Sequence, residues 1–123
     1  MSWTVSFFDE FDAEFEAMPE AVQETLLAQT RLLKQYGPQL GRPRVDTLKG
    51  SEYANMKELR FSLPDGEWRI AFAFDPERQA ILLIGGSKSG TNEKQFYRDL
   101  IRMADERFNA HLKTLVPKDG GKK

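Results

Sequence analysis

The chain of 123 residues has no cysteine and a single histidine, His111. The first absence excludes disulfides, thiolate metal sites and cysteine nucleophiles. The second excludes a histidine-built metal cluster or a relay of imidazoles. Lysine and arginine are missing from residues 1–27, which hold seven acids: Asp9, Glu10, Asp12, Glu14, Glu16, Glu20 and Glu24. No basic stretch opens the chain, so it does not read as a secretory signal. No apolar run approaches the ~20 residues of a membrane helix. A cytoplasmic protein without membrane contact is the expectation.

What is present is a core-forming composition, 40% hydrophobic and 30% charged. A chain of this size buries roughly two-thirds of its unfolded surface in one domain and needs no staple. The formal net charge of −1 conceals an asymmetry, because all 18 bases and the other 12 acids lie in residues 28–123, a local balance of +6. The acids of residues 1–27 read first as a solvated helix face, and an acidic edge beside a basic centre stays compatible with a polyanionic partner.

Patterning predicts the order β-α-α-β-β-β-α, an α+β fold. Thr4 to Phe8 alternates as a strand. Asp9 is placed to cap a short helix with Phe8, Phe11, Phe15 and Met18 at spacings of three and four. Pro19 suits the first position of a second helix, which carries Val22, Leu26, Leu33 and Tyr36 inward and stops at Gly37-Pro38. Gln39 to Asn55 reads as a connector with the bases Arg42, Arg44 and Lys49. Three strands follow at Met56–Leu63, Glu67–Asp75 and Gln79–Ile84, the first two joined at Pro64-Asp65-Gly66. Within the second, Trp68, Ile70, Phe72 and Phe74 share one face while Arg69, Ala71 and Ala73 share the other. The continuous run Ala80 to Ile84 suits a strand covered on both faces. Gly85 to Gly90 reads as a loop, and Asn92 opens a last helix with the core stripe Phe96, Leu100, Ala104, Phe108 and Leu112. One domain over residues 1–116 and a flexible polar tail over 117–123 are expected.

The glycine loop is not a P-loop, since Ser87 and Leu82 stand where that motif has glycine before Lys88. The hairpin says more. Pairing around its turn sets Arg60 and Arg69 on facing strands, and a meander brings Lys88 near them. Three such cations on one sheet face suit a phosphodiester, because guanidinium groups bind phosphate bidentately. Taken singly, each of these arginines reads first as a solvated or ion-paired surface residue, with Glu58 and Glu67 available as partners. Lys94, Arg98 and Arg102 form a basic stripe that the interleaved Asp99, Asp105 and Glu106 mark as a solvated face. Tyr53 and Tyr97 suit either packing or chemistry, and His111 receives no catalytic role.

The run Leu48-Lys49-Gly50-Ser51-Glu52-Tyr53-Ala54-Asn55-Met56-Lys57-Glu58-Leu59-Arg60, then Glu67-Trp68-Arg69-Ile70-Ala71-Phe72, resembles toxins of the RelE/ParE superfamily. Within it the chain is most similar to the HigB, phage Gp49-like branch. Ala80 to Gly90 and the pieces Phe96 to Ile101 and Ala104-Asp105 fit the same branch. The resemblance spans the chain up to Leu112. It implies two N-terminal helices and a C-terminal helix on a small twisted, mainly antiparallel sheet.

The implied function is a toxin of a type II toxin–antitoxin system, an endoribonuclease that cuts messenger RNA on the ribosome and so inhibits translation. Its cognate partner would be a HigA-like helix-turn-helix antitoxin, through which alone it would reach operator DNA. The implied chemistry uses no cofactor or metal: the ribose 2′-hydroxyl attacks the adjacent phosphate. By position, Arg69 matches the branch's phosphate-stabilising arginine, Arg60 the arginine closing the first strand's motif, and Lys88 the loop lysine. Tyr97 falls near the C-terminal catalytic tyrosine of some relatives. Lys57, Lys49 and Lys94 are the candidates for contact with the RNA backbone. Ser87 departs from the acid common before that lysine, and the general base stays unassigned, with Glu58 either a base or an orienter of arginine. A ParE-like gyrase inhibitor without nuclease activity, and a non-catalytic binding or regulatory module, stand as alternatives.

Overall fold

The computed structural model describes residues 3–90 and 92–115; the expected tail at 117–123 lies outside them. The elements run β1 Thr4–Phe7, α1 Asp9–Glu16, α2 Glu20–Tyr36, β2 Val45–Thr47, β3 Met56–Leu63, β4 Gly66–Phe74, β5 Gln79–Ser87 and α3 Glu93–Thr114. The five strands form one sheet in the order β1-β5-β4-β3-β2. β1 runs parallel to β5 and every other pair is antiparallel. The α+β fold with a mainly antiparallel sheet and three helices is as expected.

Strand alternation divides the core in two. Leu59, Phe61, Ile70, Phe72 and Leu82 face α1 and α2, packing on Phe11, Val22, Leu26 and Leu33. Met56, Ala71, Ala73, Ile81 and Leu83 face α3 and pack on Leu100, Ala104 and Phe108. Each fully buried Leu, Ile or Phe stabilises the fold by about 1.5–3 kcal/mol, so both layers carry weight. The predicted two-faced burial of β5 is observed. Arg107 ties the layers together, donating to Leu83 O at 2.7 Å and to both carboxylate oxygens of Glu14 at 2.9 and 2.6 Å. Among the described residues no helix is long and apolar enough to cross a membrane.

Several boundaries differ from the sequence reading. The connector contains β2, whose Val45 is buried; a three-residue edge strand with one inward side chain is too short to show alternation. Asp9 does not cap α1, because it is the first helical residue and Phe8 holds the N-cap position without a side-chain bond. Pro19 is likewise the N-cap of α2, and Asn92 is the N-cap of α3, accepting from Gln95 N at 3.0 Å. Tyr36 is 46% exposed. α2 ends beside it at Gly37, whose φ of +56° and close cover by the Trp3 ring both favour glycine.

β5 continues through Gly85, Gly86 and Ser87, which the sequence reading gave to the loop. They pair with Ile70, Arg69 and Trp68. A bulge makes this possible: Ala71 pairs with Ile84 and Phe72 with Leu82, so Leu83 is an extra residue on β5. Glycine at 86 also matters, since a Cβ there would stand 3.2 Å from the Phe96 ring.

Candidate functional site

On β3, the alternation that buries Leu59 and Phe61 under α2 sends Glu58 and Arg60 to the α3 side. On β4 the same rule sends Arg69 to that side, directly opposite Arg60 and across from Gly86 of β5. The loop after β5 is fastened to β4 at two points: Lys88 N donates to Glu67 O at 2.8 Å, and Ser89 Oγ accepts from Glu67 N at 2.8 Å. This brings the Lys88 ammonium to 5.7 Å over the Tyr97 ring and 3.3 Å from Glu93. Arg60, Arg69, Lys88 and Tyr97, the four predicted catalytic residues, therefore meet at one end of the sheet.

A hydrogen-bonded string joins them. Arg69 Nε donates to the Tyr97 hydroxyl at 3.1 Å, and that hydroxyl donates to Glu58 Oε1 at 2.9 Å. The Glu58 carboxylate also stands 3.9 Å from Arg69 Nε and 4.0 Å from Arg60 Nε. Burial pushes the Glu58 carboxyl above its ordinary range, against the opposing pull of Tyr97, Arg69 and Arg60. Burial likewise raises the Tyr97 hydroxyl, with the negative charge of Glu58 adding to the effect, so it remains a phenol at neutral pH. The Arg69 side chain is only 4% exposed. Its Nη1 is bonded to Trp68 O at 2.9 Å and lies 3.6 Å from Glu67. Glu67 itself is held below the usual carboxylate range by the Ser62 hydroxyl, with Arg69 and Lys88 nearby.

Arg60 and Arg69 border a groove of about 450 Å³ that also takes in Arg42, Arg44, Ser62 and Glu67. A second concavity of about 380 Å³ lies between β5 and α3, lined by Ile84, Phe96, Leu100 and Met103. The second is mostly apolar, so the groove with four guanidinium groups is the one suited to an anion. A phosphate placed there would meet the fixed positive charge of Arg60 and Arg69, and Arg69 in turn is joined to the Tyr97 phenol and the buried Glu58 carboxylate.

The three lysines expected to touch RNA are dispersed. Lys57 pairs with Phe72 across β3 and β4, and so lies on the sheet face opposite Arg60. Lys49 is exposed in the β2–β3 loop, which Ser51 and Glu52 tie to Asp105 of α3. Lys94 is exposed in the first turn of α3, three residues before Tyr97. Sequence reading left Arg42 and Arg44 in the connector without a role; the pair flanking Pro43 was the visible signal. It also missed the bond between His111 Nε2 and the buried Asp75, 2.8 Å long.

Residues 13–109 match the family described as phage derived protein Gp49-like (DUF891). Two curated relatives come from Mycobacterium tuberculosis. "Putative toxin HigB2" is 42% identical over 113 residues, covering 91% of this chain and 55% of the relative. "Putative toxin HigB3" is 56% identical over 77 residues, covering 62% of this chain and 64% of the relative. The aligned part of the chain thus spans between half and two-thirds of these relatives' lengths. Among solved structures, a mutant of the E. coli toxin RelE in the free state superposes with a TM-score of 0.57 at 14% identity, covering 87% of this chain and 98% of that one. That likeness is one of fold. Together these matches bear out the resemblance read from the sequence: the chain belongs to the phage-derived Gp49-like family and has the RelE fold.

Proposed function

We propose that the chain is the toxin of a type II toxin–antitoxin pair, acting through residues 1–116 as a ribosome-dependent endoribonuclease. The observation that carries this reading is the string Arg69–Tyr97–Glu58 beside Arg60 and Lys88. In the proposed reaction the ribose 2′-oxygen attacks the adjacent phosphorus and the bond from phosphorus to the 5′-oxygen breaks. The 2′-hydroxyl proton passes to the Tyr97 oxygen while the phenol's own proton moves to Glu58 Oε1. Glu58 is thereby the general base, acting through Tyr97. The Lys88 ammonium protonates the departing 5′-oxygen. The products are a 2′,3′-cyclic phosphate and a 5′-hydroxyl, and solvent exchange restores both proton carriers. Arg69 and Arg60 hold the charge that develops on the phosphorane. Loss of one such donor typically costs ~10²–10³ in rate.

The names of the two mycobacterial relatives support a toxin role, and a cognate helix-turn-helix antitoxin is the partner this reading requires. Mapping of new 5′ ends in cellular mRNA after a brief pulse of expression tests it, with wild type beside Arg69→Ala. Cuts in translated frames that appear only with wild type are the expected result. Growth arrest without cuts would transfer the assignment to gyrase inhibition, and neither effect would leave a non-catalytic binding module.

A further inference from the structure

The arginine groove takes in residues beyond the string Arg69–Tyr97–Glu58. Arg60 and Arg69 border it from the sheet, and Arg42 and Arg44 border it from the segment before β2. That segment is anchored, because Arg60 N donates to Arg44 O at 2.8 Å. Asp46 already bridges the two sets: its Oδ2 lies 3.6 Å from Arg42 Nε and 3.5 Å from Arg60 Nη1. The Arg42 side chain is 76% exposed. Arg44 is exposed and makes no ion pair with a described residue. Neither arginine has a part in the core. Both hold positive charge against a wall that already carries Arg60, an arrangement that an anionic ligand stabilises.

We propose that Arg42 and Arg44 form a second phosphate subsite, which binds a neighbouring phosphodiester of the same RNA strand held at Arg69. Asp46 marks the place of one anionic oxygen in it, and the incoming phosphate displaces that carboxylate from Arg42 and Arg60. The assignment rests on the ribonuclease reading of Arg69. It makes the ligand an oligonucleotide strand with at least two phosphates in contact, and it gives Asp46 the part of a competitor that weakens binding to free RNA.

The test compares two uncleavable 2′-fluoro ligands, a hexanucleotide and a dinucleotide with a single phosphodiester, by titration at low salt. Arg42→Gln with Arg44→Gln should weaken the hexanucleotide about tenfold and leave the dinucleotide unchanged. The slope of log affinity against log salt should become shallower by about 1–2. Asp46→Asn should bind the hexanucleotide more tightly than wild type. Both arginines are exposed, so thermal unfolding of the double variant should match wild type. Unchanged hexanucleotide affinity, or equal loss for both ligands, overturns the second subsite. Stronger competition by a hexaglutamate peptide than by the hexanucleotide would overturn it in favour of an acidic protein segment. If the double variant loses the hexanucleotide while no cuts in translated frames distinguish wild type from Arg69→Ala, the ribonuclease reading falls and Arg42 and Arg44 remain a phosphate site for an RNA strand.

Discussion

Arg60 and Arg69 stand directly opposite each other on β3 and β4, and the Glu58 carboxylate lies within 4.0 and 3.9 Å of their Nε atoms. Like charges facing across a strand pair are destabilising. The carboxylate offsets that repulsion, and Tyr97 fixes where the carboxylate points. Two cations are thereby held at one place on the sheet, with Asp46 and Glu67 at their outer nitrogens where an anionic ligand would compete.

Glu58→Gln separates charge from shape. The amide keeps an oxygen acceptor for Tyr97 but cannot take a proton, so cleavage should fall by at least ~10². The acid limb of the wild-type pH–rate profile, displaced above the ordinary glutamate range by burial, should disappear with it. Stability follows from the same shift. Glu58 binds its proton more tightly in the folded chain than in the unfolded one. Its stabilising contribution is therefore fully present below the unfolded pKa and is lost as pH rises through the higher folded value. Urea titrations across that window should show wild type losing stability relative to Glu58→Gln as pH rises; a gain would contradict the burial argument.

Tyr97→Phe removes the hydroxyl that both Arg69 and Glu58 use. Breaking the relay should abolish detectable cleavage in single-turnover assays on ribosomes. Two buried polar groups lose a partner, so unfolding free energy should drop by about 1–3 kcal/mol. Retention of full activity would remove Tyr97 from the proton path.

Arg107→Met addresses the scaffold alone. It leaves Glu14 without its bidentate partner and Leu83 O without its donor. The Glu14 side chain is 40% exposed and regains water, so a loss of about 1–3 kcal/mol is expected, chiefly from the carbonyl of Leu83, read from chemical denaturation. Protein that remains folded should still bind the dinucleotide ligand.

Asp75→Ala and His111→Ala should behave unequally. Asp75 accepts from Glu77 N, Gln79 N, Gln79 Nε2 and His111 Nε2, at 2.8 to 3.1 Å. Its removal strips three bonds from the β4–β5 turn besides the one to α3, whereas removal of His111 strips one. The aspartate variant should be the less stable by about 1–3 kcal/mol. His111→Ala should cleave RNA at the wild-type rate, and a large fall in rate would give the only histidine a role that its position does not suggest.

The strands of the hairpin were legible because alternation there is strict: Trp68, Ile70, Phe72 and Phe74 could only face one way once Arg69 faced the other. The α3 stripe was legible for the same reason at helical period. β2 was not, since its strand character comes from pairing with Leu59, Glu58 and Lys57 and not from its own pattern. The end of β5 was misread because two glycines in sequence signal a loop, while here their missing side chains make room for Ile70 and Phe96. At the site, the convergence of Arg60, Arg69 and Lys88 could be inferred from the turn. The partnership of Glu58 with Tyr97 spans 39 residues and depends on how α3 crosses the sheet. Local spacing carries no record of that crossing.

The bulge at Leu83 divides β5 into two halves with separate phase. From Gln79 to Leu82 the strand is locked between β1 and β4, and its side chains serve both core layers. From Ile84 to Ser87 its pairing answers to Arg69 and Trp68, and it delivers the loop that carries Lys88. Flattening the bulge with Leu83 kept in the ladder would shift Ile84 to Ser87 by one position and exchange the faces of Gly86 and its neighbours while the first half kept its register. The extra leucine thus works as a joint, at which the loop lysine can be re-aimed without recutting the protein around it.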